Sequence, residues 1–566
     1  MIILVPLKIF FSRKGSKMEK TKRVIALLLS CVLLTAAFVG CSDKNGGSSS
    51  ADNSSGTTQT GTSDGDRTKL TAIFIKHSLT KDVTTMQWLS ELQESAGVDV
   101  EWQQISADWD QKKSAMFASG KIPDLLFGAT ANADYIQYNG LFEDIKPLID
   151  QNAPNIQGMF EKVPETKAMA TTMEGKVFGI PSYKGVWPNT VGTTFINKTW
   201  LDAVGMDIPT TWDELEAVLN AFKAQDVNGN GDPNDEIPMD FSGGFEGGFS
   251  AIYLLGSTGM QVSADQDGYF LQDGKVQNYY TDERFKRVIA YLQRLWDQDL
   301  INEEVVTQDY SKYQSLGRGD GDSALIGFTW GWESGDRFGN ELRDQYVPVP
   351  PIKENADTQD VRYSYDAYLQ NYVENRVAMS SNCPDKETAI KFIDGFYDEK
   401  YSIQVLFGGM NDVDKGVKDN GDGSYEVLPP ADTDLDPGTW KWTNSFADGG
   451  PFYIRNGLDL TLGSDMQRVK EEKSVYDDVL LSVDPNKEVF PKLFMKFTQE
   501  DINTLAMNQA NIDNIVDQTW SAWLTDPSRN IDDEWDAYVE SINTAGVTQN
   551  LEIYQKAYDA YIESLG

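Results

Sequence analysis

Residues 69–128 read KLTAIFIKHSLTKDVTTMQWLSELQESAGVDVEWQQISADWDQKKSAMFASGKIPDLLFG, and this stretch decides the fold. Leu70–Ile75 is a short apolar run that reads as a β-strand. Thr84–Ser95 carries Met86, Leu89 and Leu92 at helical spacing. Val98–Trp102 reads as a second strand, Trp109–Ala118 as a second helix, and Ile122–Phe127 as a third strand ending at Gly128. Repeated strand–helix units imply a mostly parallel sheet covered by helices on both faces. Ligands of such sheets bind beyond the carboxyl ends of the strands, which places His77, Ser106 to Trp109, and Phe127 to Thr130 near any cleft.

Downstream, Gly175–Pro181 predicts a strand pair leading out of this lobe, and a second α/β segment starts near Val191. Its helix over 211–224 opens on an N-cap threonine with Asp213 and Glu214 in the first turn, where acids favour the helix dipole. A helix over 282–298 precedes a strand over 323–329, and 346–351 is extended. A strand over 373–380 and a helix over 386–397 follow. The tail predicts helices over 499–523, 532–542 and 550–564.

Upstream lies an address rather than a fold. Met18-Glu-Lys-Thr-Lys-Arg23 is basic and Val24–Val39 is apolar, the pattern of a signal peptide with Met18 as its start. Phe38-Val-Gly-Cys41 resembles a bacterial lipobox, with Phe38 where leucine is usual. The resemblance implies acylation of Cys41 by a diacylglyceryl group and palmitate, with residues 1–40 removed. Ser42–Arg67 is almost entirely Gly, Ser, Thr, Asn and Asp. Such a segment is a tether reaching roughly 25–30 Å.

The chain has 566 residues, 49 Lys and Arg against 87 Asp and Glu, and a net charge of −38. Without residues 1–40 the balance is 42 basic to 86 acidic side chains, a net of −44 over 526 residues. That charge repels phosphate backbones, so no nucleic-acid partner is expected. The one histidine, His77, leaves no material for histidine-rich zinc sites, and every His-dependent triad or dyad would have to run through it. The three cysteines, Cys31, Cys41 and Cys383, cannot build a disulfide framework.

Five blocks then resemble the extracellular solute-binding proteins of carbohydrate ABC transporters, the large lipoprotein type. They are Lys121–Phe127, Gly175–Pro181, Ile196–Gly205 with Ile208–Glu214, Asn382–Asp394, and Asp532–Val539 with Tyr554–Tyr561. Ile196 stands where many members have tyrosine. The resemblance implies a two-lobed periplasmic-binding-protein-like α/β fold, each lobe a mostly parallel sheet flanked by helices, joined by hinge strands. Carried onto this chain, lobe one is 68–185 and 355–405, and lobe two is 190–350 and 410–566. It implies a monomer, tethered to the outer face of the bacterial cytoplasmic membrane, that binds an oligosaccharide between the lobes and delivers it to the permease subunits of an ABC importer.

Asp226-Val-Asn-Gly-Asn-Gly-Asp-Pro-Asn-Asp-Glu236 sets oxygen donors at 226, 228 and 230, and Gly231 permits a sharp turn. Asp232 through its carbonyl, with Asp235 and Glu236, completes a candidate structural Ca²⁺ shell. Ile237 stands at the twelfth position, where an EF-hand has glutamate. The loop resembles the calcium loop of alginate-binding members of the family.

Sugars offer apolar C–H faces rimmed by hydroxyls, so a binding site needs flat rings and polar groups. Candidates are His77, Trp109, Phe127, Tyr183, Trp187, Trp330, Trp332, Glu333, Trp440 and Trp442, with no catalytic residue expected. Composition alone also admits a secreted carbohydrate-active hydrolase using paired carboxylates. The block order leaves no space for a barrel and favours the binder.

Overall fold

A computed structural model describes residues 67–245 and 248–565. The expected signal segment, Cys41 and the expected tether up to Asp66 lie outside the described residues. β1 (Thr68–Ile75) runs parallel to β2 (Val98–Ile105), with Thr68 opposite Val98 and Ile75 opposite Ile105. The helix expected over 84–95 starts later, at Gln87–Ala96. The Asp82 carboxylate accepts the Thr84 N–H and winds Val83–Thr85 into a 3-10 turn, and Met86 is extended. Helix Trp109–Ala118 stands as expected. β3 is only Leu125–Phe127, because Asp124 instead accepts the Thr71 N–H and hydroxyl.

Further strands are β4 (Gly179–Lys184), β5 (Thr193–Asn197), β6 (Ile237–Met239), β7 (Ile326–Gly331), β8 (Tyr346–Pro348), β9 (Tyr372–Met379) and β10 (Tyr453–Ile454). They form two sheets, β10-β4-β9-β3-β1-β2 and β8-β5-β7-β6. Helices flank both, so the two-lobed α/β class holds; "mostly parallel" holds for the first sheet, where β1, β2, β3, β4 and β10 point one way, but not for the second. In the first sheet β9 is antiparallel to β3 and β4, and in the second only β6 and β7 run parallel. The cause is the hinge. A strand returning from the other lobe enters where its neighbours leave and must run against them.

The expected lobe boundaries also shift. β10 pairs with Tyr183 and Lys184, and Phe446 stacks on Phe74 at 4.2 Å, so the chain from 410 to about 454 packs with lobe one. Conversely, Arg362 N–H donates to Gly256 and Tyr363 hydroxyl to Gly192, which keeps the start of the expected 355–405 segment with lobe two. The chain therefore crosses three times, near 185–192, 363–371 and 455–463. The lobe-one core is an aromatic pile, with Trp88 edge-on to Phe446 at 5.1 Å and Phe446 near Phe396 at 6.2 Å. Three helices, Gln499–Thr525, Ile531–Thr544 and Val547–Leu565, close the chain as expected. None of the described helices is long and apolar enough to cross a membrane.

Candidate functional site: a cleft between opposed strand ends

The chain leaves lobe one at the carboxyl end of β4 and enters lobe two at the start of β5. Thr193, the first residue of β5, lies opposite Gly331, the last of β7. The carboxyl ends of β1, β3 and β4 and those of β6 and β7 therefore lie on the hinge side of their sheets. Residues just beyond them line any cleft.

On the lobe-one rim His77 follows β1 and packs on Trp442, ring centroids 4.5 Å apart. The Trp442 carbonyl accepts the Thr80 hydroxyl at 2.8 Å, which fixes the pair. His77 Nδ1 accepts the Leu79 N–H at 3.3 Å, leaving Nε2 uncommitted. Past β4, Lys184 meets Asp448 at 2.5 Å, and Lys441 meets its other oxygen at 3.1 Å. Burial alone would raise the Asp448 pKa; the two ammonium groups overcome it and hold the carboxyl well below the usual range. The Lys184 ammonium also lies 4.4 Å from the Trp187 ring centroid and Lys441 5.4 Å from it, so cations already face that ring.

On the lobe-two rim Glu333 caps helix Ser334–Leu342, accepting the N–H groups of Gly335 at 2.6 Å and Asp336 at 2.5 Å. Burial raises its pKa, and burial likewise raises Glu472, which accepts the Ser334 N–H. Lys473 is buried with its ammonium 4.7 Å from the Trp332 ring centroid. It donates to the Val191 carbonyl and to Thr193 Oγ1 at 2.9 Å, and burial pushes its pKa down to about 7.

The 226–236 loop is a chain of turns. Asp226 accepts the Gly229 and Gly231 N–H groups, Asn228 Oδ1 that of Asn230, and Asn230 Oδ1 that of Asp232. The carboxamides of Asn228 and Asn230 both donate to Asp235. Glu236 Oε2 is buried without a partner. Among the described residues no three His, Cys, Asp or Glu side chains converge, so an ion here would need asparagine and main-chain oxygens as well.

Residues 60–402 match the bacterial extracellular solute-binding protein family. The chain belongs to that family. An HMO-binding, ABC-transporter-associated solute-binding protein of Bifidobacterium longum infantis is 32% identical, with TM-score 0.78 over 88% of this chain and 99% of its own. Another extracellular solute-binding protein of Bifidobacterium longum subsp. infantis is 30% identical, with TM-score 0.79 over 89% and 100%. The fructooligosaccharide ABC transporter substrate-binding protein FusA of Streptococcus pneumoniae is 27% identical over 505 residues, 85% of this chain and 88% of that protein.

In this solute-binding protein the expected ligand residues separate into three groups. His77 and Trp442 are half-buried partners, and Trp332 with Glu333 sits beyond β7. Tyr183, Trp187 and Trp440 lie at the lobe-one end and are nearly enclosed, as Trp332 and Glu333 are on lobe two. Asp436 caps a helix, Pro437–Asn444, whose inner face Trp440 occupies. Trp109 is half-buried, its indole N–H donating to the Ala129 carbonyl at 3.1 Å. Two expectations fail. Phe127, 0% exposed, packs in the core against Trp102 and Phe396. Trp330, 1% exposed, is inside β7, which runs two residues further than expected and turns the ring into the lobe-two core beside Phe328. Sequence reasoning missed Lys184, Lys441, Asp448 and Lys473. The lysines adjoining Tyr183 and Trp442 were the available signal; nothing local marks Asp448 or Lys473. A groove of about 500 Å³ lies at the other end of lobe one by Lys69, Ser90 and Asp99, away from these rims.

Proposed function

We propose that this chain is a lipid-anchored receptor that takes an oligosaccharide between its lobes and delivers it to an ABC importer. The observation that carries the reading is that, in a member of the solute-binding family, strands of both sheets end toward the three chain crossings with polar and aromatic side chains just beyond them. Relatives named for fructooligosaccharide and HMO binding support the ligand class. A ligand touching both rims stabilises the closed form by its differential affinity for that form. The permease subunits then receive it unaltered. His77 and Trp442 from lobe one and Trp332 and Glu333 from lobe two are the proposed contacts, with Tyr183, Trp187 and Trp440 behind them. Acylation at Cys41 holds the protein, as a monomer, at the outer face of the cytoplasmic membrane.

The 226–236 loop is proposed to hold a structural Ca²⁺, which would supply charge to cross-link the turn. Asp226, Asn228, Asn230, Asp232, Asp235 and Glu236 would hold it, and the unpartnered Glu236 Oε2 supports the fit. Calorimetric titration with kestose and lacto-N-tetraose, beside an assay of released reducing sugar, tests the main reading. Binding without turnover is expected; turnover refutes it.

A further inference from the structure

Tyr310 belongs to no group considered so far, yet it is the only aromatic side chain among the described residues that stands exposed, at 51%. Its position follows from the lobe-two sheet. Gln308 is tied to the carboxyl end of β6 by bonds to Asp240 Oδ1 at 2.9 Å and to the Phe241 carbonyl at 2.6 Å. Asp309 then caps helix Tyr310–Gly317, accepting the Lys312 N–H. Tyr310 thus begins a helix at the same end of the sheet as Trp332 and Glu333.

The ring is held rather than free. Gln314, one turn along, donates its carboxamide N–H to the Tyr310 hydroxyl at 2.6 Å and lies 3.5 Å from Asp336 Oδ2. That bond leaves the phenol's own proton available to a ligand oxygen. Asp336 is three residues beyond Glu333 and can accept hydroxyl protons. An exposed, oriented ring flanked by a hydroxyl donor and a carboxylate acceptor matches a pyranose or furanose, which offers a C–H face and a hydroxyl rim.

We propose that Tyr310, with Gln314 and Asp336 beside it, is a sugar-stacking subsite on the lobe-two side of the cleft. It rests on the oligosaccharide reading and adds a contact that ring counting in the sequence did not supply. The test measures affinities of the wild type, Tyr310→Ala and Tyr310→Phe for kestose, lacto-N-tetraose and maltotetraose, with melting temperatures. Expected is a loss of about tenfold in Tyr310→Ala for the glycan that the wild type binds, about 1.4 kcal/mol. Tyr310→Phe should lose less, and neither melting temperature should move much. Unchanged affinity in Tyr310→Ala overturns the subsite while leaving the oligosaccharide reading intact. A large fall in melting temperature overturns it too, since the ring would then be a packing element. A wild type that binds none of the three glycans refutes the oligosaccharide reading and the subsite with it.

Discussion

The Lys473 ammonium donates to the Val191 carbonyl at 2.7 Å. Val191 lies in the first crossing, and its N–H is given to Asp366 of the second crossing at 2.8 Å. Lys473 ends the helix that follows the third. One residue thus gathers ties from all three crossings. Asp366 also accepts the Ala264 N–H and the Ser263 and Ser364 hydroxyls, so the hinge is anchored to lobe two.

Lys473 should give the protein a measurable pH signature. Its folded pKa is pushed from 10.5 down to about 7, so between those values the folded state holds fewer protons than the unfolded one. Stability from this group therefore rises with pH across about 7 to 10, and its penalty is complete below 7. The melting temperature of the wild type minus that of Lys473→Met should become more positive from pH 7 to pH 9.5. A flat difference would show that Lys473 does not titrate there.

The buried pair of Arg337 and Asp240, 2.9 Å apart with both side chains 0% exposed, should be sensitive to loss of one partner. Asp240 also accepts from Asn302 and Gln308. Asp240→Ala strands the Arg337 charge and should cost about 3–5 kcal/mol. Urea unfolding would read it as a lower midpoint. Asp240→Leu with Arg337→Met should recover part of the loss.

His77 and Trp442 should matter to binding more than to folding, because both are only half-buried. Trp442→Ala should weaken glycan affinity about tenfold and His77→Ala severalfold, each with a small change in melting temperature. Titration calorimetry beside thermal unfolding separates the two effects. Phe127→Ala, a core truncation, should instead cost about 3–5 kcal/mol of stability.

Chelation tests the 226–236 loop. EDTA should lower the melting temperature and added calcium restore it, and Asp226→Ala should abolish the response. An unchanged melting curve on chelation removes the ion from the account.

A short apolar run set β1, and i, i+3 spacing set most helices to within a few residues, because both patterns are local and each is imposed by what meets the core. Thr211 shows the same legibility at a helix start, where its hydroxyl accepts the third N–H. Strand direction was not legible. A stretch such as Tyr372–Met379 carries the same side-chain alternation whichever way it runs, and only the hinge crossing turns it against β3. Likewise Trp330 and Trp332 look equivalent in sequence; β7 takes in the first and stops at Gly331 before the second, and both rings are buried, at 1% and 6% exposed.

By itself the sequence determined the α/β class, the acidic loop and the types of residue a sugar site would draw on. Tertiary structure alone decided which rings are free, and it did so by distance in the chain. Phe446 closes over Phe74 and Asp448 over Lys184 from more than 250 residues away, contacts for which no local periodicity exists. Burial and charge pairing are properties of those meetings. That is why Tyr310, unremarkable in sequence, stands open while Trp187 is enclosed beside two lysines.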